Sequence, residues 1–98
     1  MSRKKRGQMN IFAITTQEAL ERVSRHCPEA LSTYLQCLNR ADKNGNFIFS
    51  KYLVDVEMSD DWDDFRKNIK KLARENLLEW HPLDEEISVT LADNEDYD

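Results

Sequence analysis

The stretch that most restricts the fold covers residues 59–91, where one amphipathic helical pattern leads into two short alternating segments. Advancing about 100° per residue from Trp62, the apolar side chains Trp62, Phe65, Ile69, Leu72 and Ala73 fall within a single arc of about 100°. Arg66, Lys67, Lys70, Lys71 and Arg74 fill an adjacent arc of about 140°. The helix is expected to end near Asn76, a residue that accepts the left-handed conformation of a C-cap. Leu78 and Trp80 then alternate with Glu79 and His81, Pro82-Leu83-Asp84-Glu85 reads as a turn, and Ile87, Val89 and Leu91 alternate with Ser88 and Thr90. The pattern predicts a helix with one buried stripe followed by a hairpin with one buried face.

Upstream, the chain reads mainly as helix. Residues 9–14 form a short apolar stretch, compatible with a strand or a packing segment. Thr15-Thr16-Gln17-Glu18 matches a capping box, in which the Thr15 hydroxyl accepts from the Glu18 amide and the Glu18 carboxylate reaches back. Ala19, Leu20, Val23 and Cys27 give the helix it opens one apolar stripe. Pro28 ends that helix by pushing the preceding residue out of the helical region, and is itself suited to open the next. Leu31, Tyr34, Leu35, Leu38 and Ala41 recur at helical spacing until Asp42-Lys43-Asn44-Gly45-Asn46, a turn with Gly45 suited to positive φ. Phe47-Ile48-Phe49 is a candidate strand.

Residues 50–58 fit two patterns. Tyr52, Val54, Val56 and Met58 alternate as in a strand, while Ser50 can cap a short helix carrying Tyr52, Leu53 and Val56. Local propensity leans towards the strand; the surrounding order of elements leads us to the helix. Ser59 is expected to cap the following helix, with Asp60, Asp61, Asp63 and Asp64 in its first turns, where the helix dipole favours negative charge.

With 98 residues, 40% of them apolar, the chain supports one modest core, and only two glycines and two prolines favour helices. The expected class is mainly α with a small antiparallel β-sheet (α+β): a single domain over residues 9–91, between a disordered basic arm, 1–8, and a disordered acidic tail, 92–98. Of 14 basic and 19 acidic residues, four basic ones lie in the arm and four acidic ones in the tail, so the body between them still carries the full net charge of −5. An acidic body excludes a general nucleic-acid coat, because backbone binding depends on Lys and Arg neutralising phosphates. Any such contact has to be local.

Cys27 and Cys37 are too few for a disulfide framework; a bridge between them is open, but buried free thiols are the favoured reading. No apolar run reaches the length of a signal or membrane segment, which points to a soluble, cytoplasmic protein without membrane association. His26, Cys27, Cys37 and His81 lack the spacing of a zinc site. There is no Gly-rich phosphate loop and no nucleophile–base pattern, so neither an enzyme nor a cofactor is expected.

The order helix, helix, short strand, helix, helix, strand, turn, strand over residues 16–91 resembles the winged helix-turn-helix family. The run Phe65-Arg66-Lys67-Asn68-Ile69-Lys70-Lys71-Leu72-Ala73-Arg74-Glu75-Asn76-Leu77-Leu78-Glu79-Trp80 is similar to that family's recognition helix, Leu-x-x-x-Gly-Leu-Leu segment and wing, with Asn76 where glycine is usual. Ile87-Ser88-Val89-Thr90-Leu91 is similar to the closing wing strand. The resemblance implies that Phe65, Ile69 and Leu72 lock the third helix onto the core while its opposite face enters a DNA major groove. It thus implies a DNA-binding transcriptional regulator, compatible with a homodimer. Contacts to double-stranded DNA fall to Arg66, Lys67, Lys70, Lys71 and Arg74, with help from Arg3, Lys4, Lys5 and Arg6 in the arm.

Two departures bear on that function. The N-terminal half of the third helix carries Asp60, Asp61, Asp63 and Asp64 where base edges are usually met, and the wing offers Asp84, Glu85 and Glu86 instead of Arg or Lys. These seven acids suit an alternative, a protein–protein interaction module or DNA-mimicking inhibitor that holds a basic protein. Plainer readings stand beside both: a solvated basic face with Asp63 paired to Lys67 at ~0.3–0.5 kcal/mol, helix-dipole capping by the aspartates, and core packing of Trp62 and Trp80.

Overall fold

A computed structural model describes residues 15–92. Arg3, Lys4, Lys5 and Arg6, the apolar stretch 9–14 and the acidic residues of the tail lie outside the described residues.

Helix α1 (Thr16–His26) opens with the expected capping box: the Glu18 amide donates to Thr15 Oγ1 at 3.1 Å and the Thr15 amide to Glu18 Oε1 at 3.3 Å. Cys27 ends α1, and Pro28 starts a 3₁₀ turn (Pro28–Ala30) that runs directly into α2 (Leu31–Arg40). The buried stripe of α2 is turned slightly from the expected one. Thr33, Tyr34 and Cys37 are buried, Leu31 and Leu38 half-buried, and Leu35 is exposed. Both cysteines are buried free thiols, and burial pushes Cys37 up to about 12.

Asp42 builds the next turn. Its carboxylate accepts from the Asn44 and Asn46 amides at 2.8 and 3.0 Å, its carbonyl accepts from Gly45, and Gly45 takes φ 83°. Strand β1 (Asn46–Ser50) follows.

Residues 50–58 do turn out helical, but as one wide turn (Leu53–Glu57) closed by the Met58 amide on the Leu53 carbonyl at 2.9 Å, a π-type bond. Ser50 Oγ caps it by accepting from the Leu53 amide at 3.0 Å. Of the expected inner face only Leu53 packs against the core; Val54 is the fully buried residue, while Tyr52 and Val56 are exposed.

Ser59 is not the cap of the following helix α3 (Trp62–Arg74); it takes φ 54° in the link before it. Asp61 is the cap, with Oδ2 accepting from the Asp64 amide at 3.0 Å. At the other end the Leu77 amide bonds the Leu72 carbonyl, the Asn76 amide bonds the Ala73 carbonyl, and Asn76 has φ 62°. That is a Schellman closure with asparagine in the left-handed position, as expected.

Strands β2 (Leu78–Pro82) and β3 (Glu86–Leu91) form the hairpin. The three-stranded antiparallel sheet has the order β1-β3-β2. Phe47 and Trp80 flank Val89, and Phe49 and Pro82 flank Ile87, so these rows share the face that meets the helices. Phe49 joins sheet to helix, its ring centroid 4.8 Å from Phe47 on one side and 4.8 Å from Phe65 of α3 on the other. Ile69, Leu72, Leu77, Val23 and Ala19 belong to the same core, together with Ala30, Leu78 and Leu91. Trp62 and Trp80 are half-buried and pack against it. Ala92 is also buried, and its amide donates to the Leu77 carbonyl at 2.8 Å.

The architecture is α+β, with helices followed by a three-stranded antiparallel sheet in the helix-then-hairpin order of a winged helix.

Candidate nucleic-acid interface

Helix α3 is held at both ends, along one flank and by the core, which sorts its basic residues into engaged and free ones. At its start, Asp55 of the one-turn helix accepts from the Trp62 amide at 3.0 Å through Oδ1 and from Lys51 Nζ at 2.8 Å through Oδ2. One carboxylate therefore ties Lys51, the first residue past β1, and the one-turn helix to the start of α3. Along the flank facing α2, Asn68 Nδ2 donates to Thr33 Oγ1 at 3.2 Å and Lys71 Nζ donates to Glu29 Oε2 at 2.7 Å. At the end, Arg22 of α1 donates to the Glu75 carbonyl at 2.8 Å and His26 Nδ1 meets the Glu75 carboxylate at 2.8 Å. Arg22 thus satisfies a carbonyl at the negative end of the helix dipole. The core holds its buried stripe.

Lys71 and Arg66 mark the two edges of the basic arc. Lys71 is committed to Glu29, whose carboxyl it holds below the usual carboxylate range. Arg66 lies beside the wing, 3.9 Å from Asp63, so Asp63 pairs with Arg66 and not with Lys67. Between them Lys67, Lys70 and Arg74 are exposed, directly opposite the buried stripe of Phe65, Ile69 and Leu72. Among the described residues these three cations have no carboxylate within ion-pair distance. Of the five expected basic contacts, three form a free stripe and two are edge residues with partners.

The acidic residues separate by role as well. Asp60 Oδ1 accepts from the Asp61 amide at 2.8 Å, and Asp61 caps α3, so both are spent on the helix start. Asp63 and Asp64 are exposed in its first turn, where the dipole stabilises them. Asp84, Glu85 and Glu86 are exposed at the wing tip and share a cleft of about 350 Å³ with Lys51, Trp62, Arg66 and Leu83. The wing is pinned there by the Lys51 amide on the Glu85 carbonyl at 2.9 Å and the Leu83 amide on the Glu86 carbonyl at 2.8 Å. The Lys51 ammonium is held above its usual value by Asp55, with Glu85 and Asp63 adding to it. Helix start and wing thus approach each other around Lys51, and that end of the surface is acidic while the middle and C-terminal part of α3 is basic.

A cleft of about 800 Å³ runs along α1 between Thr16 and Arg25, away from this surface. Among the described residues no group of three His, Cys, Asp or Glu is placed to hold a metal ion, and no helix is long and apolar enough to cross a membrane.

Sequence reading missed Arg22, Glu29, Asp55 and Glu75, the residues that fix α3. Arg22 and Glu75 are 53 positions apart, Glu29 and Lys71 42, and no local pattern marks such pairs. Asp55 had a readable signal, a carboxylate four residues after Lys51 in a helical turn.

Comparison of the chain with protein-family models, with characterised proteins and with solved structures finds no match. Its likeness to winged helices is one of topology alone: helices, then a three-stranded antiparallel sheet closed by a hairpin.

Proposed function

We propose that this protein is a small winged-helix DNA-binding protein, acting as a transcriptional regulator, which lays the outer stripe of α3 against a duplex. The reading rests on Lys67, Lys70 and Arg74: three exposed cations without carboxylate partners among the described residues, projecting from a helix braced at both ends, along one flank and by the core. Lysine and arginine in this setting meet phosphates and release counterions, and a rigid helix keeps them in register with the groove. The acidic helix start and wing work against a docking in which both enter the duplex. The contact is therefore centred on the middle and C-terminal part of α3, with Asp84, Glu85 and Glu86 directed away from phosphate.

The test is fluorescence anisotropy of labelled duplex DNA titrated with the full chain. Lys67→Glu with Lys70→Glu abolishes binding while leaving the thermal melt in place, and Asp84→Lys leaves binding unchanged or strengthens it. Binding that survives the α3 pair and is lost on the wing change would refute this docking.

A further inference from the structure

A second surface, separate from the α3 stripe, lies where the one-turn helix meets the wing. Tyr52 is 65% exposed, Val56 54% and Leu83 53%. Single apolar residues on a surface call for no explanation, but these gather. Tyr52 shares a cleft with Lys51, Asp84, Glu85 and Glu86, and Leu83 shares the adjoining one with the same four residues and with Trp62. Val56 stands one turn along from Tyr52 on the same exposed side. The backbone bonds from Lys51 to Glu85 and from Leu83 to Glu86 keep the patch preformed, so an occupant pays little ordering cost on the protein side.

We propose that this face docks a basic amphipathic segment of a partner protein, one that presents an aromatic or aliphatic anchor flanked by Lys or Arg. The occupant follows from charge. Asp84, Glu85 and Glu86 are exposed and without ion-pair partners among the described residues, Glu57 is exposed on the one-turn helix, and the two cations that line the clefts are both engaged, Lys51 with Asp55 at 2.8 Å and Arg66 with Asp63 at 3.9 Å. Nucleic acid and anionic membrane are repelled from such a rim. An apolar anchor fills the clefts beside Tyr52, Leu83 and Trp62, while guanidinium or ammonium groups pair with the three wing carboxylates. Arginine is favoured over lysine, because its planar fork engages a carboxylate through two bonds and stacks on an exposed tyrosine ring. The inference does not rest on DNA binding by α3, since no residue of the free stripe lines either cleft.

The experiment is selection of a displayed random-peptide library on the full-length protein, followed by anisotropy of the enriched peptides against variants. The expected peptides carry net positive charge around an aromatic or aliphatic residue. Their affinity falls about tenfold or more with Tyr52→Ser plus Leu83→Ser, as loss of anchor contacts predicts. It falls similarly with Asp84→Lys plus Glu85→Lys, and is unchanged by Lys67→Glu plus Lys70→Glu. All substituted positions are exposed, and an unchanged thermal melt confirms that each variant is folded. The proposal is overturned by no enrichment, by enriched peptides without net positive charge, or by equal binding to the Tyr52 and Leu83 variant. Loss of duplex affinity in that variant, with peptide binding intact, would assign the face to nucleic acid and overturn it too.

Discussion

Asn76 and Ser59 hold φ 62° and 54°, in the left-handed region where a Cβ crowds the following carbonyl. Asparagine tolerates this better than most residues, and glycine better still. Asn76→Gly should raise stability by up to about 1 kcal/mol and Asn76→Ala should lower it by about 1 kcal/mol, both read from thermal or urea melts. A residue at 76 indifferent to both changes would mean that the Schellman closure does not form. Cys37 makes a second residue-scale prediction. Burial raises its thiol to about 12 from an ordinary 9.0, so above pH 9 the unfolded thiol ionises while the folded one stays protonated. Stability should therefore fall as pH rises from the ordinary value towards the raised one, and Cys37→Ala should remove part of that slope. In native protein at neutral pH, Cys37 should also resist alkylation by iodoacetamide until the chain is unfolded. At this scale the turn residues were legible: Asn76, Gly45 and the Thr15 capping box each carry their own local chemistry. Ser59 misled because serine is an ordinary cap, whereas here a carboxylate two positions later, Asp61, reaches the free amide of Asp64.

Among the elements, α3 was the most readable and the one-turn helix the least. An apolar stripe at helical spacing states both the helix and its buried side, and Phe65, Ile69 and Leu72 are fully buried as the stripe requires. Ile69→Ala in α3 and Val89→Ala in β3 should each destabilise by ~1–4 kcal/mol, as truncations of fully packed side chains. A denaturation midpoint unmoved by both would show that other faces form the core. The one-turn helix was harder to read because Tyr52, Val54, Val56 and Met58 alternate like a strand. Its helical state comes from outside it, from the Ser50 cap, from Asp55 bridging Lys51 to Trp62, and from Val54 packing into the core. The π-type widening, which sends Tyr52 and Val56 outwards, has no sequence signal, since it follows from how the turn is seated between β1 and α3. The same holds for the braces of α3: Arg22 on Glu75 and Lys71 on Glu29 join elements that only the folded chain brings together.

For the whole molecule, the formal charge of −5 is less informative than its division between an acidic end, formed by the helix start and wing, and a basic stripe along the middle of α3. Sequence reading identified both sets of residues. It could not tell engaged cations from free ones, because Lys71 is removed from the stripe by a carboxylate on another element. Glu29→Gln tests this division. Freed of its partner, Lys71 joins the stripe, and duplex affinity at low salt should rise modestly while the melt changes little, Glu29 and Lys71 both being partly exposed. The pH dependence of the tie has a definite sign. Glu29 ionises below the usual carboxylate range, so the Lys71 bond is fully present above that range and is lost as pH falls through the lowered value. The most direct test of the account is the salt dependence of duplex binding, compared between the native chain and Lys67→Ala with Lys70→Ala and Arg74→Ala. The account predicts binding that weakens steeply with salt and a log–log slope that shrinks by about 0.9 for each phosphate contact removed in the variant. An unchanged slope in the variant, or no duplex binding by the native chain at low salt, would contradict it.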